Sequence, residues 1–140
     1  MPDTNSKSTT TTTNTSTTTK APKRIHQVVK LKREHYEAYK ACHQAVWPEV
    51  LEQIKASHIE DYSISYEPCS GLLFASFKYT GIDFAADMTR TREHGPTREW
   101  WKMTDGFQES LNEGAVSSEM GGVNGTPGWW KEMEEVFHLP

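Results

Sequence analysis

The sequence predicts an α+β domain of the ferredoxin-like class, a β-α-β-β-α-β sandwich, on three observations. A β-branched run near the start gives way to a long stretch with helical period. A segment alternating every second residue follows, closed by turn chemistry and a second apolar run. A further helical region then leads to a glycine-rich stretch and a short apolar end. Elements in that order suit an antiparallel sheet with helices on one face.

The first strand is "RIHQVVKL", Arg24 to Leu31, short and rich in β-branched residues. In the helical stretch that follows, Tyr36, Tyr39, Cys42, His43, Val46, Val50, Leu51 and Ile54 recur at spacings of three and four. Pro48 disfavours helical backbone at Trp47, so the helix should kink or restart there. "IEDYSISYEP" places Tyr62, Ile64 and Tyr66 on one face and Ile59, Asp61, Ser63 and Ser65 on the other. With the turn residues "PCSG" and the apolar run "LLFASFKY", residues 59–79 read as a hairpin. A second helical region, broken near Gly95-Pro96, runs to about Leu111, and a closing strand is expected at Glu135 to Leu139. One sheet face then still needs cover, and in a domain this small a second subunit is the expected source: a homodimer.

The 140 residues allow one domain, taken as 23–140. Residues 1–22 form a different kind of sequence: positions 1–20 hold ten threonines and three serines and nothing to bury, so a disordered tail is expected. They lack the apolar core of a secretory signal and the arginines of a transit peptide. No apolar run approaches the roughly 20 residues needed to span a bilayer, so no membrane association is expected. Net charge is −4 with scattered basic residues, which argues against a nucleic-acid partner. The small cluster Lys20, Lys23 and Arg24 reads as a solvated hinge. Two cysteines, Cys42 and Cys69, make no disulfide framework, and a reducing, cytoplasmic setting is the default.

Chemistry enters through "YKACHQAVWPEV", Tyr39 to Val50. Residues four apart on a helix lie about 40° apart around the axis and about 6 Å along it, so Tyr39 and His43 share a face. Histidine exchanges protons near neutrality, and a neighbouring phenol can orient it or bind a hydroxyl. The same stripe also suits an aromatic core. His35 lies roughly 12 Å from His43 along the helix, too far to share a metal ion, and the other histidines are single, so neither metal nor cofactor is expected. Cys42 should point to a different helix face from His43, which makes a Cys–His nucleophile improbable. Trp100 and Trp101 point about 100° apart, so one can enter the core while the other lines a cleft where flat indoles suit sugar C–H surfaces. Trp129 and Trp130 form a rival pair beside the glycine-rich stretch. Its glycines fit no phosphate-binding pattern and read as a flexible surface loop.

Several segments in order resemble the L-rhamnose mutarotase family: "EAYKACHQAVWPEV", "DYSISYEP", "LLFASF", "WWKMTD", "AVSSEM" and the terminal "EEVFHLP". The resemblance covers most of residues 24–140 and implies a dimeric α+β barrel, without metal or cofactor, that interconverts the α and β anomers of L-rhamnose. It implies His43 as proton donor, with Tyr39, Tyr62, Trp100 and Trp101 contacting the sugar. The threonine-rich tail and the segment 121–130, which looks inserted, depart from the family pattern. Two other readings share such a site: a cofactor-independent monooxygenase on the same barrel, and a sugar-binding module without turnover.

Overall fold

The structure, a computed structural model, describes residues 22–140; the tail expected over 1–22 lies outside them apart from Pro22. The elements are β1 (Lys23–Leu31), α1 (Tyr36–His43), α2 (Pro48–Ala56), β2 (Ile59–Glu67), β3 (Leu72–Tyr79), α3 (Phe84–Glu93), α4 (Gly95–Phe107), β4 (Gln108–Glu109) and β5 (Lys131–Met133). The sheet is antiparallel in the order β2-β3-β1-β4, with β5 also on β1. The expected α+β order holds.

Local chemistry sets the breaks. Trp47 is extended (φ −58°, ψ 132°), as its proline neighbour demands, and Pro48 opens α2 at a position where its missing N–H costs nothing. Asp83 caps α3 by accepting from Ala86 N at 3.1 Å, and His94 Nδ1 accepts from Thr97 N at 3.3 Å to begin α4. At the β2–β3 turn, Gly71 takes φ +73°, which a side chain would strain.

The core lies on one face of the sheet. The pairs Ile25–Phe77, Gln27–Ala75 and Val29–Leu73 stand side by side, and Val29 and Leu31 are fully buried. Burying side chains of this kind contributes about 1.5–3 kcal/mol each. The sheet's other face carries Arg24, His26, Val28 and Lys30, paired with Lys78, Ser76, Phe74 and Leu72.

Two expectations are corrected. Strict alternation in β2 put Ile59 opposite Tyr62, but the pairing slips between Glu60 and Ser63, where three steps of β2 span two of β3. Asp61 takes φ +48° in this bulge, and both Ile59 and Tyr62 come to line the helix-side cleft. The closing strand is Lys131–Met133 rather than Glu135 to Leu139, pairing Val28–Lys131, Gln27–Glu132 and His26–Met133. Residues Lys131 to Met133 have no strand-like composition; they pair because a free stretch of the β1 edge lies beside them. The apolar end beyond them projects, with Val136, Phe137 and Leu139 exposed at 90%, 81% and 78%.

Candidate active site

Between the curved sheet and the helices lies an open cleft of about 800 Å³. All five residues singled out in the sequence line it: Tyr39 and His43 from α1, Tyr62 from β2, and Trp100 and Trp101 from α4. The helical period places Tyr39 and His43 on one side of α1, while the β2 bulge turns Tyr62 toward them. Of the tryptophan pair, Trp100 is buried (6% exposed) and Trp101 half-buried, the split that adjacent helical positions require.

The aromatic groups form a packed series. The Tyr39 and His43 rings lie 4.1 Å apart between centroids. His43 meets Trp100 at 5.3 Å and 69°, and Trp47 meets the same indole at 5.2 Å and 77°. Trp47, half-buried, thus packs edge-on against Trp100. Tyr62, 42% exposed, sits edge-on to Phe77 at 5.4 Å. His35 packs on Phe107 at 5.2 Å.

His43 is held in one tautomer. Its Nδ1 lies 2.8 Å from the carbonyl oxygen of Tyr39, which can only accept, so Nδ1 carries the proton. Nε2 has no protein partner among the described residues and is the basic nitrogen. Burial disfavours the imidazolium and lowers the His43 pKa, an effect partly offset by the bond to the Tyr39 carbonyl. Burial holds the Tyr39 phenol well above its usual range, so it stays protonated.

Cys42 departs from expectation: its Sγ lies 3.3 Å from His43 Nδ1, and it donates to the Tyr39 carbonyl at 3.1 Å. Burial also raises the Cys42 pKa, so the group remains a thiol. It shares the imidazole's anchor, the Tyr39 carbonyl.

The glycine-rich stretch is tied down rather than loose. Ser118 N and Oγ donate to the Asp105 carboxylate at 2.8 and 2.5 Å, and Arg92 donates to Gly121 O at 3.3 Å. Ser110 Oγ donates to Trp129 O at 2.5 Å, while Asn112 Nδ2 reaches Gly128 O and Trp130 O at 2.7 and 3.2 Å. Trp129 and Trp130 both line the cleft. Sequence reasoning missed Gln108, which is 3% exposed and lies between Trp129 and Tyr39. No motif surrounds it. Among the described residues no group of three or more His, Cys, Asp or Glu side chains is arranged to hold a metal ion.

A family model described as L-rhamnose mutarotase matches residues 24–139. The L-rhamnose mutarotase of Sinorhizobium fredii is 37% identical over 103 residues, which span 74% of this chain and 85% of that protein. That of Escherichia fergusonii is 27% identical over 114 residues, 81% of this chain and 94% of its own. Among solved structures, the L-rhamnose mutarotase from Formosa agariphila superposes with a TM-score of 0.62 at 24% identity, covering 84% of this chain and 99% of the other.

Proposed function

The chain belongs to the L-rhamnose mutarotase family, and from that premise we propose how its cleft performs the reaction. The protein is an isomerase that interconverts the α and β anomers of L-rhamnose. His43 is the acid–base group, Tyr39 and Tyr62 bind sugar hydroxyls, and Trp100 and Trp101 form the stacking wall.

The observation that carries this assignment is the bond from His43 Nδ1 to the Tyr39 carbonyl, which leaves a neutral imidazole with its basic Nε2 free. Mutarotation begins when Nε2 takes the proton of the anomeric hydroxyl. The electron pair of that O–H forms the C1=O1 double bond as the C1–O5 bond breaks. The ring oxygen then takes the proton from the imidazolium, giving the open-chain aldehyde and neutral His43. Both oxygens are attached to C1, so one nitrogen can serve both with little movement. After rotation about C1–C2, the same steps in reverse close the ring on the other face. Acid–base help of this kind typically supplies on the order of 10²–10⁴ in rate. Because His43 starts neutral, it acts first as base and then as the proton donor.

The test is anomer exchange of L-rhamnose followed by saturation-transfer NMR. Wild-type protein should accelerate exchange and His43→Ala should lose most of the acceleration. Equal exchange in both would move the proton carrier elsewhere.

The protein works as a homodimer. Support comes from the sheet face away from the helices, which carries the half-buried Leu72 and Phe74, and from the projecting Val136, Phe137 and Leu139. It acts in the cytoplasm on a small sugar, with neither nucleic acid nor membrane as partner. Both thiols are unpaired, and no helix among the described residues is long and apolar enough to cross a membrane.

A further inference from the structure

Behind Tyr39 lies a buried amide that takes no part in the proton transfers. Gln108 follows α4 directly, pairs with Leu31 as part of β4, and is flanked by the bond from Lys32 N to Phe107 O at 2.9 Å. Its position is therefore fixed from both sides. Its side chain is buried, so the amide must find its partners inside the protein. Oε1 accepts from Trp129 Nε1–H at 2.9 Å, and Nε2 donates to Tyr39 Oη at 3.4 Å.

The direction of this chain is set by its far end. An indole N–H only donates, so it must meet the amide oxygen. The amide nitrogen is then turned toward Tyr39, where it too can only donate. The phenol oxygen receives a hydrogen bond from the rear, and its own proton is left for the cleft that Tyr39 lines. We propose that Gln108 and Trp129 are positioning residues that commit the Tyr39 hydroxyl to donating a hydrogen bond to the sugar oxygen on which negative charge develops.

This inference rests on the assignment of Tyr39 to the sugar-binding cleft. It gives the glycine-rich stretch a role in the reaction, because that stretch delivers Trp129. The anchors from Ser110 to Trp129 O and from Asn112 to Gly128 O and Trp130 O hold the indole in register with Gln108. Bonds in a row polarise one another, so the phenol becomes a better donor than it would be alone. Donors aimed in advance at developing charge need no reorganisation during the reaction.

Gln108→Glu reverses the last bond. A carboxylate still accepts from Trp129, but it also accepts from Tyr39, and the phenol proton turns away from the sugar. Exchange rate at saturating L-rhamnose should fall on the order of tenfold or more at about pH 8, with KM little changed. On acidification the introduced carboxyl takes up a proton and can again donate to Tyr39. The ratio of variant to wild-type rate should therefore climb as pH falls toward about 5.5, with near-ultraviolet circular dichroism confirming native packing at each pH. Gln108→Met, with neither donor nor acceptor, should give a lowered ratio that does not change with pH. Trp129→Phe keeps the aromatic face and should lose a few-fold in kcat, and the pair Gln108→Met with Trp129→Phe should be no worse than Gln108→Met alone.

A variant-to-wild-type ratio for Gln108→Glu that is flat with pH, or losses that multiply in the double variant, would overturn the proposal. The indole N–H resonance of Trp129 supplies a readout without turnover: it should shift in both Gln108→Met and Tyr39→Phe, and no shift in either would also overturn it. Loss of activity in His43→Ala and Tyr39→Phe while Gln108→Glu tracks wild type would reject the relay and leave the site intact. Full activity in His43→Ala and Tyr39→Phe would reject the site assignment itself.

Discussion

His43 Nδ1 and the carbonyl oxygen of Tyr39, one helical turn earlier, lie 2.8 Å apart, and this bond decides which imidazole nitrogen meets the sugar. Burial opposes protonation of that imidazole, so its folded pKa lies below the ordinary 6.5. The working form at the start of the reaction is the neutral base. Activity should therefore stay level as pH falls to about 6.5 and decline only at lower pH. The stability sign agrees: below the unfolded pKa the unfolded chain binds the extra proton more readily, so this group destabilises the fold as pH drops. A pH profile of kcat/KM checks it, and an acid limb centred above about 6.5 would contradict the neutral-base assignment.

Tyr39→Phe separates the phenol oxygen from the ring. The ring keeps its contacts with His43 and Phe107. The Gln108 amide loses its acceptor in a dry place, an omission that costs about 1–3 kcal/mol. Exchange should slow about 10- to 100-fold, less than in His43→Ala, because a positioning and charge-stabilising donor is lost while the proton carrier remains. Thermal melts together with NMR exchange rates measure both effects.

The tryptophan pair should divide by function. Trp100 is buried between His43 and Trp47, so Trp100→Ala should cost about 3–5 kcal/mol of stability. Trp101 is half-buried in the cleft wall, and Trp101→Ala should chiefly raise KM for L-rhamnose while the fold persists. Equal melting losses in both variants would refute the division.

Periodicity made the helix face of Tyr39 and His43 legible, since both positions answer to a local geometry that the sequence itself repeats. The break at Pro48 and the turn ending at Gly71 were legible for the same reason: ring and glycine constrain the backbone wherever they occur. Three features were not. The β2 bulge depends on the pairing of β2 with β3, so alternation within one strand misplaced Ile59. The last strand forms at Lys131–Met133 because of an open edge on β1, not because of side-chain preference. Gln108 gains its meaning from Trp129, 21 residues later, and from Tyr39, 69 residues earlier, contacts that no local pattern encodes.

Away from the cleft, Asp87 ties α3 to the sheet. Its carboxylate is 2% exposed and accepts from Tyr79 Oη, from His58 Nδ1 at 3.0 Å and from Arg90. The hydrogen bond from Tyr79 leads in lowering its pKa, followed by those from His58 and Arg90, against the opposing effect of burial. A depressed carboxyl pKa contributes stability that is present above the unfolded value of about 3.9 and lost as pH falls through the folded one. Asp87→Asn keeps the shape, removes the charge and should cost about 1.5–3 kcal/mol at neutral pH, the usual worth of hydrogen bonds to a charged group. Arg90 is well exposed and its share is screened by solvent, so Arg90→Ala should cost far less. The deficit of Asp87→Asn relative to wild type should narrow on acidification below about pH 4, because wild type then loses the same charge. Urea unfolding at neutral and acid pH measures both differences. A deficit that stays constant with pH would mean that packing around Asp87, rather than its charge, anchors α3.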